Sequence, residues 1–342
     1  MKIGVLTGGG DAPGLNAAIR AVARKGLHNG WEVVGLRHGW LGLLEKSELV
    51  LDRNSVAGIL PRGGTILGTS RTNPYKREGG VALAMRNFKE LRLNALIAIG
   101  GDDTLGVAHR LSQEGLPIVG VPKTIDNDLS GTDISIGADT VVNEVMRAVD
   151  RLHPTAEAHD RVMLVEVMGR DAGWIATLGG MAGGADVILI PEFPFSIDEV
   201  CERLRRRHDE TRRKFSVVVI AEGARPRDLE DSVVQDSAID EFGHVRLGGI
   251  AHVLGREIEA RTGYETRVTV LGHTQRGGSP TAFDRILATR LGVAAVVEVE
   301  KGNFGVMVAH VGSEIVPLPL EEGIREMHRV DPRLYEIAQL FS

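Results

Sequence analysis

The chain has 342 residues, 43% hydrophobic and 25% charged; that size fits one large α/β unit or two lobes, and the composition excludes disorder. A formal net charge of −6 excludes global attraction to nucleic acid or to an anionic membrane, so any anion site has to be built locally. Cys201 is the only cysteine, which excludes an intrachain disulfide and thiol redox chemistry and fits a reducing cytosol.

The first apolar run, at 3–6, is too short for a secretory signal. No stretch reaches the ~18 apolar residues of a membrane helix, so a cytoplasmic protein is expected. Continuous aliphatic and β-branched runs predict strands at 3–6, 31–36, 95–99, 118–121, 162–167, 187–190, 217–221 and 268–271. Runs apolar at every position suit parallel strands covered by helices on both faces. Longer amphipathic segments predict helices at 15–30, 105–115, 138–152, 197–213 and 249–262. Strand and helix alternate, so the expected fold class is α/β, built from βαβ units. The Pro- and Asp-rich stretch 226–243 reads as a surface insertion. The basic segment 203–214 is interleaved with Asp209 and Glu210 and reads as a solvated helix face.

In open α/β sheets ligands gather at the carboxyl ends of strands, and each unusual loop of this sequence follows a predicted strand. The first is Thr7-Gly8-Gly9-Gly10-Asp11-Ala12-Pro13-Gly14. Glycines let a phosphate approach the backbone, and the following helix start supplies unsatisfied N–H donors. Pro13 occupies the third-glycine place of a dinucleotide fingerprint, which excludes that reading; a tight turn explains the loop equally well. The second is Gly100-Gly101-Asp102-Asp103-Thr104. Adjacent carboxylates are costly to bury without a cation or donors, and one of them holding Mg²⁺ beside phosphate oxygens makes chemical sense. The alternative is that Asp103 caps the next helix. The third, Pro122-Lys123-Thr124-Ile125-Asp126-Asn127-Asp128, crowds a cation, a hydroxyl and two acids. Lys offers a point charge to phosphoryl oxygens, and an Asp can accept a proton from an attacking hydroxyl. An Asx turn would account for one such loop, less well for three in succession.

Met168-Gly169-Arg170-Asp171, Ala221-Glu222-Gly223 and Gly272-His273-Thr274-Gln275-Arg276-Gly277-Gly278-Ser279 continue the theme, with Arg161 and Arg267 each just before a predicted strand. Arginines with a histidine are the usual equipment for a phosphate monoester; a single Arg at a strand edge is more often a surface ion pair. The sequence has no Gly-Lys-Ser/Thr loop, no His-Arg-Asp triplet and no His-Glu-x-x-His, which excludes phosphate-loop ATPase, protein kinase and zinc protease chemistry.

These five loop sets, at 7–14, 100–104, 122–128, 165–170 and 271–278, closely resemble the bacterial phosphofructokinase family in order and spacing across nearly the whole chain. The resemblance implies two similar lobes, each a mostly parallel sheet flanked by helices, with the active site in the cleft between them. It places the phosphoryl donor on residues 1–138 plus about 275–325, and fructose 6-phosphate on 139–274 plus about 326–342. It implies a homodimer or homotetramer acting in glycolysis or gluconeogenesis. By the same resemblance Asp126 is the base for the sugar 1-hydroxyl, Asp102 the Mg²⁺ ligand, and Arg170 a transition-state arm. Gly10, Arg71, Asp103, Thr104 and Lys123 face the donor, with Lys123 and Asp103 also taking part in catalysis. Thr124, Asp128, Met168, Gly169, Arg170 and Glu222 contact the sugar. His273 and Arg276 hold its 6-phosphate, joined by Arg161 and Arg267 from a neighbouring subunit.

Two positions depart from the family's ATP-using pattern, which carries glycine where this chain has Asp103 and usually where it has Lys123. An acid and a lysine there resemble the pyrophosphate-using relatives. By the same resemblance a carboxylate at position 103 would sit where the α-phosphate of ATP has to pass. Like charges ~4 Å apart at an effective dielectric of ~20 repel by roughly 4 kcal/mol, about three decades in affinity. Pyrophosphate as donor is therefore expected, with an ATP-dependent enzyme as the alternative and a non-catalytic sugar-phosphate sensor as the third reading. Arg20, Arg24 and Arg53 match basic positions of the family's effector site, but His153 and Asp186 replace its Arg and Glu, so weak or absent regulation by ADP is expected.

Overall fold

The computed structural model describes residues 1–211, 213–227 and 249–340, and the strand backbone of 234–239 and 245–247. Of the expected insertion at 226–243, residues 228–233 and 240–243 lie outside the described residues. The chain divides into two compact units, Met1–Thr140 with Arg276–His328, and Val141–Gln275 with Arg329–Ser342.

The first unit opens with β1 (Lys2–Thr7), α1 (Leu15–His28), β2 (Glu32–Leu36), α2 (Trp40–Glu45), β3 (Glu48–Val50), α3 (Gly80–Glu90), β4 (Ala95–Gly100), α4 (Asp102–Gln113) and β5 (Ile118–Pro122). Helix α5 (Ala138–Ala158) leads into the second unit, which continues with β6 (Val162–Val167), α6 (Trp174–Gly183), β7 (Val187–Leu189), α7 (Ile197–Thr211) and β8 (Ser216–Ala221). An antiparallel pair, β9 (Val234–Ile239) and β10 (Val245–Leu247), precedes α8 (Ile250–Thr262) and β11 (Thr266–Val270). The first unit resumes with α9 (Ala282–Lys301), β12 (Val306–Val311), β13 (Glu314–Pro319) and α10 (Leu320–Arg325), and α11 (Pro332–Leu340) belongs to the second.

The fold is α/β. The sheet of the first unit runs β13-β12-β5-β4-β1-β2-β3, parallel except for its two edge strands β13 and β3. Strand β4 shows why its sequence is apolar throughout. Ala95, Ile97 and Ile99 pack with Leu15, Ile19, Leu291 and Val296 of α1 and α9, while Leu96 and Ala98 pack with Leu43, Phe88 and Leu111 of α2, α3 and α4. Successive residues face opposite layers, so both faces must be apolar. Each fully buried Ile or Leu there contributes about 1.5–3 kcal/mol.

Helix α4 begins at Asp102 behind the N-cap Gly101, not at 105 as the apolar periodicity suggests. Asp103 is therefore not a cap: Asp102 and Asp103 both occupy the first turn, where carboxylates complement the helix dipole. The long helix α9 was not expected. Leu287, Leu291, Ala295 and Val299 are buried, yet Phe283, Ile286 and Val293 are exposed, so apolar residues surround the helix and leave no stripe to read.

The second unit has a four-stranded parallel sheet, β11-β6-β8-β7. Leu164, Val218 and Ile220 pack with Val200 and Leu204 of α7 and Leu254 and Ile258 of α8. Helix α6 crosses α5 at Gly179 and Gly183, where a Cβ would lie 2.6 and 2.7 Å from carbons of Val145 and Val149. Cys201 is buried in this core, and burial pushes its thiol pKa up. The arginines of α7 have local partners: Arg203 donates to the Gln339 carbonyl at 2.7 Å, and Arg207 pairs with Asp186. Asp186 also accepts the Val217 N–H at 2.8 Å, and His153 Nε2 lies 3.0 Å from the Gly183 carbonyl. Asp186 and His153 are thus both engaged within their own unit.

Candidate active site

In the first unit, the loops after β1, β4 and β5 leave one sheet edge side by side, because those strands are neighbours. Gly8 N–H donates to the Ile99 carbonyl at 3.0 Å and Gly9 N–H to that of Ser70 at 3.2 Å. A Cβ on Gly8 would lie 2.5 Å from Thr104 Oγ1, and one on Gly100 would lie 2.4 Å from Thr104 Cβ. Thr104, only 3% exposed, fills the space between the two loops. Gly14 opens α1 at φ 105°, a left-handed conformation that favours glycine.

Lys123 reaches back from β5 to the glycine loop. Its Nζ donates to the Gly8 carbonyl at 3.0 Å and to that of Gly10, and the residue is 3% exposed. Burial, then the nearby Arg276 charge, push its pKa down to about 8, against the opposing pull of Asp11, Asp128 and Asp126. Arg276, which the resemblance assigns to the 6-phosphate with His273, also reaches this loop. Its Nη1 donates to the Asp11 carbonyl at 3.0 Å and would lie 2.7 Å from a Cβ on Gly10. Two cations therefore border the glycines.

The lowered Lys123 pKa sets a pH dependence. The side chain is cationic below about 8 and neutral above it. For an anionic donor, kcat/KM is expected to fall as pH rises through about 8, and the limb should move upward in kcat because the bound anion holds the proton. A kcat/KM profile flat from pH ~7 to ~10 would contradict this account of Lys123.

The loop after β5 is braced from inside. Asn127, 5% exposed at φ 51°, stands between Asp126 and Asp128. Its Oδ1 accepts the Ser135 N–H at 2.9 Å and its Nδ2 donates to the Asp133 carbonyl at 3.1 Å. Ser135 Oγ donates to the Thr124 carbonyl at 2.7 Å, and Thr124 Oγ1 accepts the Asp126 N–H at 3.2 Å. Asn tolerates the left-handed turn, and the acids on either side of it are half-buried.

On α4, Asp102 is exposed and Asp103 half-buried; Asp103 Oδ1 accepts from Asn73 Nδ2 at 3.0 Å. Arg71 is exposed, next to the Ser70 carbonyl that holds Gly9. Among the described residues no three His, Cys, Asp or Glu side chains form a metal cage. One or two carboxylates can hold Mg²⁺ together with water and substrate phosphates, and Asp102 presents an exposed carboxylate in the first turn of α4.

In the second unit, β11, β6 and β8 are neighbours, and their loops meet at the carboxyl edge. Glu222 N–H donates to the Val167 carbonyl at 2.8 Å and Gly223 N–H to that of Gly169 at 3.1 Å. A Cβ on Gly223 would lie 1.8 Å from the Arg170 carbonyl oxygen. Gln275, 1% exposed, accepts the Met168 N–H at 3.3 Å and donates to the Gly272 carbonyl at 3.0 Å, tying the His273 turn to the Met168–Arg170 loop. Met168, Gly169, Arg170, Glu222 and His273 thus belong to one edge.

Arg161 and Arg267 do not. They lie at the amino ends of β6 and β11, roughly 20 Å away along the strands. Both guanidiniums engage Glu265, Arg161 at 3.0 Å. Within one chain these two arginines cannot join His273 and Arg170. Asn73, Asn127, Glu265 and Gln275 carry no role in the sequence reading. Only the Asn between two acids signals itself there; the other three are ordinary polar residues until the fold supplies their partners.

A phosphofructokinase family model matches residues 2–299. The chain is 56% identical along its whole length to a pyrophosphate--fructose 6-phosphate 1-phosphotransferase of Streptomyces coelicolor, covering 99% of that protein. It is 49% identical along its whole length to an ATP-dependent 6-phosphofructokinase of Mycobacterium leprae, again covering 99%. The T-state structure of Pichia pastoris phosphofructokinase matches 99% of this chain with a TM-score of 0.83 at 34% identity; the chain spans 36% of that longer one.

Proposed function

This chain belongs to the phosphofructokinase family, and from that premise we propose that it transfers a phosphoryl group from pyrophosphate to the 1-hydroxyl of fructose 6-phosphate. The observation that carries the choice of donor is the presence together of Asp103, at the start of α4, and of the buried Lys123 on the glycine loop. The Streptomyces coelicolor relative is named for the same reaction. The Mycobacterium leprae relative, named as ATP-dependent, keeps ATP as the competing reading.

In this proposal the first unit binds the donor and the second the sugar phosphate. Asp126 takes the proton from the 1-hydroxyl as its oxygen forms a bond to the transferred phosphorus, and the bridging P–O bond breaks to release phosphate. Lys123 and Arg276 hold negative charge at the glycine loop, where it builds up on the leaving phosphate. Mg²⁺ on Asp102 would neutralise charge on the donor. Arg170, Met168, Gly169, Glu222 and His273 orient the sugar, so that the bound geometry supplies much of the rate. The reaction is reversible in this proposal, because pyrophosphate lies closer in phosphoryl-transfer potential to the products than ATP does. The enzyme works in the cytosol as a homo-oligomer. Incubation with Mg²⁺, fructose 6-phosphate and pyrophosphate should yield equal amounts of fructose 1,6-bisphosphate and phosphate. Sugar-phosphate binding without turnover on either donor would leave the sensor reading standing.

The position of Arg161 and Arg267 supports a site completed by a second copy of the chain. Arg267→Ala and Asp126→Asn subunits should each be inactive alone and recover activity when mixed, because a mixed oligomer contains sites lacking neither group. No recovery after verified subunit exchange would count against the shared site.

A further inference from the structure

Exclusion of a nucleotide by Asp103 requires its carboxylate to stay in place, since a side chain free to rotate could swing into solvent and relieve the repulsion. Asn73 supplies the hold. Its Nδ2 donates to Asp103 Oδ1 at 3.0 Å, and its Oδ1 accepts the Tyr75 N–H at 2.9 Å. The two partners, one acceptor and one donor, also fix which way the amide faces. Asn73 is extended, φ −121° and ψ 115°, before Pro74, and caps the short 3₁₀ turn Pro74–Lys76. That turn is clamped along α4: the Arg110 guanidinium lies 3.4 Å from the centre of the Tyr75 ring, and the Tyr75 hydroxyl donates to Glu114 Oε1 at 2.8 Å. Positions 103, 110 and 114 share one helix face, so the strap runs from the first turn of α4 to its C-terminal end.

We infer that Asn73 is a positioning residue for donor choice, its carboxamide holding the Asp103 carboxylate where it closes the donor site to a nucleoside triphosphate. The inference rests on the pyrophosphate reading given above. Asn73 touches the strap and Asp103 and acts on the donor only through that carboxylate.

Two variants separate this role from simple support of the turn. Asn73→Ala removes both hydrogen bonds. Asn73→Ser keeps an oxygen that can accept the Tyr75 N–H but has no amide to hold Asp103. If Asn73 acts through Asp103, both should raise the ratio of kcat/KM for ATP to that for pyrophosphate by about tenfold, or ~1.4 kcal/mol, at an unchanged thermal midpoint for Asn73→Ser. In an Asp103→Gly background neither should change the ratio further, as a double-mutant cycle would show. An unchanged ratio in both variants overturns the inference, and so does an equal effect with and without Asp103. A shift in Asn73→Ala alone also overturns it, because that result belongs to the cap. A wild type that already prefers ATP defeats the donor reading and this inference together; a wild type preferring pyrophosphate with inert Asn73 variants defeats only the second.

Discussion

Asp126→Asn is expected to lower the forward rate constant by ~10²–10⁴-fold with little change in KM for either substrate. The substitution keeps size and hydrogen-bonding shape but cannot accept the proton of the 1-hydroxyl. The loop should tolerate it, because its form depends on other groups. The Asp126 N–H is held by Thr124 Oγ1 at 3.2 Å, and Asn127 and Ser135 brace the turn from within. The rate constant should therefore report lost proton transfer, with no contribution from a collapsed site. Single-turnover measurements on folded protein check this; a loss below fivefold would remove Asp126 from the role of base.

Asp103→Gly is expected to raise kcat/KM for ATP by up to about three decades, the equivalent of the roughly 4 kcal/mol repulsion between like charges at ~4 Å. Activity with pyrophosphate should fall at the same time. Glycine in the first turn costs α4 at most about 1 kcal/mol, and the helix keeps its N-cap at Gly101 and the buried Thr104. The gain has to come from the lost charge and not from a loosened helix. Asp103→Asn, which removes charge but keeps volume, should recover part of the effect. Unchanged ATP activity in both variants would mean that Asp103 does not face the donor.

The fold was legible where burial on two faces writes a continuous apolar run, as in β4 and β6, and where helices carry a single apolar stripe. It was not legible in α9, apolar all round, or in β13, where Pro317 and Pro319 argue against a strand. β13 tolerates them because it is an edge strand whose outer side needs no ladder partner. The loops stood out because glycines, acids and cations concentrate just after strands. The groups that position those loops did not stand out, because their partners are distant in sequence. Asn73 meets Asp103 across 30 residues and Gln275 meets Met168 across 107. Arg276 likewise meets the Asp11 carbonyl across 265 residues.

The most direct test of the account is the ratio of kcat/KM for pyrophosphate to kcat/KM for ATP in the wild-type enzyme, measured with saturating fructose 6-phosphate and Mg²⁺ at neutral pH. Lys123 is then charged, so pyrophosphate should exceed ATP by roughly a hundredfold or more, given the repulsion that ATP alone would meet at Asp103. A wild type that uses ATP as well as or better than pyrophosphate would contradict the account.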